Sequence, residues 1–445
     1  MSEGVGSAAG SGAQVGNKGL PSGFPLNLAA LTAAVSAVAV LYGGVRAFYF
    51  EGAFVEAFSY YSDERPFNEI INSLIGRDPA TTLFGVHAFG DYLIGNVWSS
   101  LPDPWSDITG VNYLPPVLLV FRLLGFLPYS VGFTVFAVGI FLATVAPMVI
   151  ASRGYALATR TLLVIVLAVM TGPALTTLDR GNIQGLLPVL LFSYAIAVLK
   201  QRWGLAAAMI AAASLIKIYP IVLLLLLLAL RKYKWVALSA VFSLVGVLIS
   251  LPIMSTRGFA SFDAMIAGVL QFQEKSVVDF LQYNVSFAGG LANAAFFVGL
   301  PSIGTWIAGN AWILIVGYAA AVIPILWIRS IELWMRLIIV LSLTTALMPI
   351  VYGYALNWVL AASALAVWVS RHSEAGRMQA RVVTAGLIVV LAMGSSVLPF
   401  FIPGSMESGR PAGAVTLAAL TMYLLLPLVA YGSRRMQAVG PAVAE

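Results

Sequence analysis

The chain has 445 residues, 60% of them hydrophobic and only 9% charged, with a mean hydropathy of +0.94. Soluble domains carry about 25% charged residues, so this chain cannot cover a water-facing surface of ordinary polarity. That excludes a soluble enzyme, a disordered protein and a barrel of short alternating strands. The absence of cysteine removes thiol catalysis, cysteine metal sites and disulfides. The net charge of +6 reads as loop charge at a membrane, and no nucleic-acid partner is expected.

Residues 1–24 are rich in Gly, Ser and Ala and read as a disordered cytoplasmic tail. An apolar stretch over 26–48 gives a first span. Residues 49–114 then break the pattern and hold half of the 18 acidic residues, including Asp63, Asp78, Asp91, Asp103 and Asp107. This is a long first outer loop with short interfacial helices, and loops of that length are usually functional. Further spans are predicted near 127–150, 161–176, 183–199, 203–216, 219–230, 235–254, 311–328, 336–351, 355–370, 382–402 and 414–432. The pieces 203–216 and 219–230 are short for a crossing, and LIKIYP divides them. Helix is disfavoured just before Pro220, so they read as a broken or re-entrant pair. A second long outer loop covers 255–310, and 433–445 form a cytoplasmic tail. The whole is an all-α polytopic membrane protein, one transmembrane domain over 25–432 with about 11–12 helices and interfacial helices in its two long loops.

Basic residues orient it. With the amino terminus inside, the cytoplasmic loops receive 15 of the 24 Lys and Arg residues, although both long loops lie outside. The localisation expected is the plasma membrane, with the site on the extracytoplasmic face.

Four places on that face carry polar groups near membrane depth, where ionisable residues are costly and mark function. In HAFGDYL, Asp91 has apolar and aromatic flanks that suit a tuned carboxylate; its plain reading is a helix cap. Asp78 and Asp103 precede prolines and resemble turn residues, and Asp63 lies in a charge run. In TTLDRGNIQG, Arg180 suits an anionic lipid headgroup, and Asn182, at a helix start, suits sugar or phosphate. An interfacial ion pair is the alternative. In LIKIYP, Lys217 lies at a helix break, placed as a point charge for phosphate or as a snorkelling anchor. QYNVSFAGG (Asn284, Ser286) and PIVYGYALNW (Tyr352, Tyr354, Asn357, Trp358) offer hydroxyl partners and aromatic faces, the groups of a sugar site and of a membrane interface alike. His372 falls in a basic loop, and His87 precedes Asp91 by one helical turn. No Walker loop, dinucleotide fingerprint or HExxH is present, and no metal or cofactor is expected.

Taken in order, these segments resemble glycosyltransferase family 87. They are Gly90-Asp91-Tyr92, NYLPP (Asn112 to Pro116), RGN followed by leucines (Arg180 to Leu187), LIKIYP before a leucine run, and NVS before glycines. The resemblance covers roughly residues 85–370. It implies a GT-C-type fold and an enzyme using a polyprenyl-phosphate sugar donor. The acceptor is a hydroxyl of a cell-envelope glycolipid or polysaccharide. Mannose is the first expectation for the sugar and arabinofuranose the second. By position, Asp91 matches the family's catalytic aspartate. Lys217 and Arg180 would then hold the donor phosphate. Tyr113, Asn182, Asn284, Ser286, Tyr352, Tyr354 and Asn357 would meet sugar or acceptor. A polytopic transporter or lipid-linked-sugar flippase is the rival reading. Convergence of Asp91, Lys217 and Arg180 on one site separates transfer from transport.

Overall fold

The computed structural model describes residues 90–107, 111–169, 171–279, 284–372 and 419–430. The amino-terminal tail, the span over 26–48 and most of the first loop, with Asp63, Asp78 and His87, lie outside the described residues. So do the span over 382–402 and the carboxy-terminal tail.

Among the described residues the chain is helical. Its β pairing there is two isolated bridges, Arg153 with Tyr155 and Asn284 with Tyr352. The first long loop ends in α1 (Gly90–Ser100), a single turn at Pro104–Asp107, and α2 (Pro115–Gly125). α2 starts on two prolines, which have no N–H to leave unpaired in a first turn. α3 (Tyr129–Ala151) follows. Next come α4 (Leu157–Val164), continued as a π turn over Ile165–Val169, and α5 (Gly172–Arg180). A 3₁₀ turn at Ile183–Leu186 opens α6 (Leu187–Leu199). α7 (Trp203–Ile216) stops before Lys217, and a 3₁₀ turn at Tyr219–Leu223 leads into α8 (Leu224–Ala229) and α9 (Tyr233–Met254). The second loop contains α10 (Phe262–Asp279), α11 (Phe287–Phe297) and α12 (Pro301–Gly309). α13 (Ala311–Val322), α14 (Leu333–Ala346), α15 (Asn357–His372) and α16 (Ala419–Ala430) complete the order.

Two described helices are long and apolar enough to cross a bilayer. They are Ser130–Ala151 of α3 and the whole of α9, each 22 residues, with mean hydropathies of 2.3 and 2.4. Such a helix spans roughly 33 Å. α9 leaves Val241, Phe242, Leu244 and Ile249 exposed, as a lipid-facing helix does. α12 and Ala311–Trp327, bent by 77° to each other, make a third candidate if counted as one span. Of the other expected crossings within the described residues, 355–370 is α15 and the rest are apolar helices of 10–17 residues. Ile183–Leu199 and Trp203–Ile216 keep the expected bounds, whereas the runs expected over 161–176 and 336–351 are cut short. The run expected over 161–176 ends at its π turn, and Thr171 and Pro173 open a new helix. The break expected at LIKIYP is present.

The two largest apolar cores among the described residues lie side by side. One is built mainly from α6, α7, α14, α15 and α16, with Tyr194, Leu341, Trp358 and Tyr423 buried in it. The other joins α1, α2 and the first half of α3 through Tyr92, Tyr113, Phe121 and Phe136. Ile183 belongs to the second core and Leu187 to the first, and Ile216 packs against both. The seam between the cores therefore runs past residues 183–187 and 216.

α1 and α2 cross where Gly95 faces Phe121: a Cβ on Gly95 would lie 2.5 Å from the ring. Arg122 clasps the neighbouring loops, donating from Nε to the Ser99 carbonyl (2.7 Å), from Nη2 to that of Leu101 (3.0 Å) and from Nη1 to that of Ile253 (2.8 Å). The Thr256 N–H donates to the Pro102 carbonyl at 2.8 Å, and Arg257 reaches the buried Asp103 at 3.4 Å. Gly95→Ala is expected to destabilise the purified protein by about 1–3 kcal/mol through overpacking, and Gly95→Ala/Phe121→Leu to recover part of it. Thermal unfolding in detergent measures both, and an unchanged midpoint for Gly95→Ala would contradict the close crossing.

Candidate active site

The RGN segment shows how local sequence builds the site. Arg180 occupies the last turn of α5, where a cation complements the helix dipole. Gly181 ends the helix in the left-handed region, φ 60° and ψ 40°, which glycine adopts without a Cβ penalty. Its N–H donates to the Leu178 carbonyl, and the Asn182 N–H donates to that of Thr177. Asn182 then caps the following 3₁₀ turn, its Oδ1 accepting from the Gln184 N–H at 2.9 Å. Three consecutive residues thus stop one helix, reverse the chain and start the next.

The same residues meet Asp91, in the first turn of α1. Arg180 forks onto the carboxylate, Nε to Oδ2 at 2.9 Å and Nη2 to Oδ1 at 3.1 Å. Asn182 Nδ2 donates to Oδ2 at 2.6 Å. With Oδ1 capping and Nδ2 on the carboxylate, one orientation of the amide satisfies both contacts. Asp91 is 8% exposed and Asn182 2%, so these are charge-assisted bonds largely shielded from water.

Lys217 follows α7 in extended conformation, φ −148° and ψ 142°. Its ammonium lies 4.6 Å from the centroid of the Tyr113 ring and interacts electrostatically with Asp91. Tyr113 stands in the extended stretch before α2 and is buried. Burial first, and then the Asp91 carboxylate, push its phenol well above the ordinary value, against an opposing effect of Arg180. The phenol is therefore neutral at physiological pH. Asp91, Arg180, Asn182, Tyr113 and Lys217 form one cluster at the seam of the two cores, and its described charges are two cations and one carboxylate.

A second polar set adjoins it through Gln184. Tyr219 donates to Gln184 Oε1 at 2.5 Å, and Asn357 Nδ2 donates to the Gln184 carbonyl at 3.1 Å. Thr177 Oγ1 donates to Asn357 Oδ1 at 3.4 Å. Gln184 and Tyr219 were not singled out from the sequence. Their signal was present, since both are polar residues inside the motifs RGNIQG and LIKIYP.

The remaining expected residues have structural partners. Asn284 donates to the Pro349 carbonyl at 2.7 Å and accepts from the Val351 and Ser286 N–H groups, both at 3.0 Å. Ser286 caps α11 by accepting from the Gly289 N–H. Together they stitch NVS to PIVY, where Tyr352 pairs with Asn284 and is half-buried. Trp358 is 1% exposed and stacks toward Tyr423 inside the first core, so its face is closed to a sugar. The side chains of Tyr354 and Asp107 lie outside the described residues. His372 is exposed at the end of α15, stacked on Trp368. A cavity of about 550 Å³ is lined by Tyr92, Asn96, Ser99, Arg122 and Phe126, and by none of the residues clustered around Asp91.

Fold and site together define a helical membrane protein with a buried polar site at the ends of its helices. The chain belongs to glycosyltransferase family 87, whose family model matches residues 112–349, just over half of its length. It is accordingly a membrane glycosyltransferase, acting on a sugar donor and an acceptor. Tyr113, Arg180, Asn182, Lys217, Asn284 and Ser286 lie in the matched segment; Asp91 precedes it, and Tyr352, Tyr354 and Asn357 follow it. Comparison with curated proteins gave no match, and neither did comparison with solved structures.

Asn182→Ala removes a hydrogen bond to a charged group and a helix cap, and should lower stability by about 2 kcal/mol. Asn182→Asp keeps the cap but sets a second carboxylate against Asp91, so at neutral pH it should be no more stable than the alanine variant. Melting curves at neutral pH test this, and a midpoint equal to wild type for the aspartate variant would contradict the contact.

Proposed function

We propose that this glycosyltransferase moves a sugar from a polyprenyl-phosphate donor to a hydroxyl of an envelope glycolipid or polysaccharide, on the extracytoplasmic face of the plasma membrane, and that Asp91 is its general base. The observation that carries the reading is the oriented Asp91 carboxylate beside a lysine whose ammonium rests on an aromatic ring. A carboxylate offers about four acceptor positions, and Arg180 and Asn182 occupy three. Among the described residues the fourth is left to an acceptor hydroxyl.

In this mechanism the acceptor oxygen bonds to the anomeric carbon while the bond from that carbon to the phosphate oxygen breaks. The bonding pair leaves with the phosphate, and the hydroxyl proton passes to Asp91. Lys217 meets the growing negative charge of the phosphate. Arg180, engaged with Asp91, orients the base and adds a second positive charge beside it. Tyr352, half-buried, is kept as a candidate sugar contact, while the buried Asn357 supports Gln184. Mannose remains the first expectation for the sugar. The multi-pass topology of about 11–12 helices, with the amino terminus inside, is part of the same proposal.

Asp91→Asn preserves size and removes the base, so turnover should fall ~10²–10⁴-fold with folding retained. The assay offers polyprenyl-phosphate sugars to the purified protein, and near-normal turnover would move the base to another acid. Sidedness is tested separately in this cysteine-free chain. Both Ser106 and Ala156 are exposed. An impermeant thiol reagent on intact cells should label Ser106→Cys and spare Ala156→Cys; the reverse pattern would invert the topology.

A further inference from the structure

The ring beneath Lys217 has a function that the transfer chemistry leaves unassigned. Lys217 carries three N–H donors and one positive charge. Among the described residues its ammonium makes no salt bridge or hydrogen bond, and its close partner is the face of Tyr113 at 4.6 Å. The Asp91 carboxylate is held by Arg180 and Asn182 instead. A carboxylate partner would neutralise the lysine and would have to be displaced by an arriving phosphate. An aromatic face attracts the ammonium from one side and leaves its charge and its remaining donors available.

The ring is fixed for this purpose. The Tyr113 carbonyl accepts from Trp105 Nε1 at 3.2 Å. Trp98 stands edge-on to the ring at 5.7 Å, and Phe121 lies tilted at 5.9 Å. Tyr113 is 5% exposed, and its neutral phenol offers Lys217 a π face and no anion.

We propose that Tyr113 is the positioning residue of the phosphate site, its ring and not its hydroxyl holding the Lys217 ammonium aimed at the donor phosphate. This rests on the reading that Lys217 meets that phosphate. It differs from a sugar or acceptor contact by Tyr113, for which the hydroxyl would be needed.

The test is calorimetric binding of geranyl phosphate to the purified full-length protein in detergent, with inorganic phosphate as a second probe. Tyr113→Leu should weaken geranyl phosphate binding about three- to thirty-fold, the worth of a partly desolvated cation–π contact. Tyr113→Phe should restore most of that loss. Because leucine changes the packing against Trp98 and Phe121, the size-conserving series is mono-, di- and trifluorophenylalanine at position 113. Affinity should fall stepwise as fluorine drains the ring face. Parallel losses for inorganic phosphate would assign the site to the phosphate group itself, and losses confined to geranyl phosphate to the lipid-linked form; the ring's role stands in both cases. A flat fluorine series, or Tyr113→Phe as weak as Tyr113→Leu, would overturn the proposal. Lys217→Met separates the two levels. Loss of binding there with unaffected Tyr113 variants removes the ring's role alone. Wild-type binding by Lys217→Met removes the phosphate reading and the ring's role with it.

Discussion

A carboxylate taken out of water keeps its charge only where partners replace the lost hydration. At Asp91 those partners are the forked guanidinium of Arg180 and the amide of Asn182. Stripping a partner from a buried ion pair costs about 3–5 kcal/mol, because the other charge is left unpaired. The start of α1 and the turn after α5 are therefore held as one unit, although 89 positions separate Asp91 from Arg180 in the chain. The two apolar cores meet beside this contact, so it also bridges the halves of the described fold.

The polar residues of the site stand at helix ends. Asp91 opens α1, Arg180 closes α5, Asn182 caps a 3₁₀ turn and Lys217 follows α7. Helix ends carry unpaired backbone groups and partial charges, so they are where an apolar chain can place charge at least cost. A transporter would use such breaks too. The family membership, together with the convergence of Asp91, Arg180 and Lys217, favours transfer over transport.

Much of this was legible beforehand, because motifs that punctuate helices write both their turns and their chemistry in local sequence. RGN and LIKIYP fell at observed helix breaks, and Asp91 was singled out by its apolar flanks together with its place before NYLPP. The pairing of Asp91 with Arg180 was not legible, since no periodicity links residues so far apart. Asn284 and Ser286 looked like sugar ligands because amide and hydroxyl groups serve a backbone carbonyl as readily as a sugar. Trp358 looked like an interfacial ring, yet it lies in a core that only the packing of α15 against α16 reveals. Hydropathy counted continuous runs as crossings because a window average passes over a π turn followed by Thr171 and Pro173.

The clasp made by Arg122 has a mechanical consequence. One planar cation ties the carbonyls of Ser99 and Leu101, at the end of α1, to that of Ile253, near the end of α9. A lysine carries its three donors on one nitrogen, so it could not reproduce bonds that leave from three separate nitrogens of a planar fork. The loop beyond α1 is thereby coupled to α9, the less buried of the two described helices long and apolar enough to cross a bilayer. Any displacement of α9 relative to the helix that carries Asp91 would therefore have to break these three bonds or carry Arg122 with it.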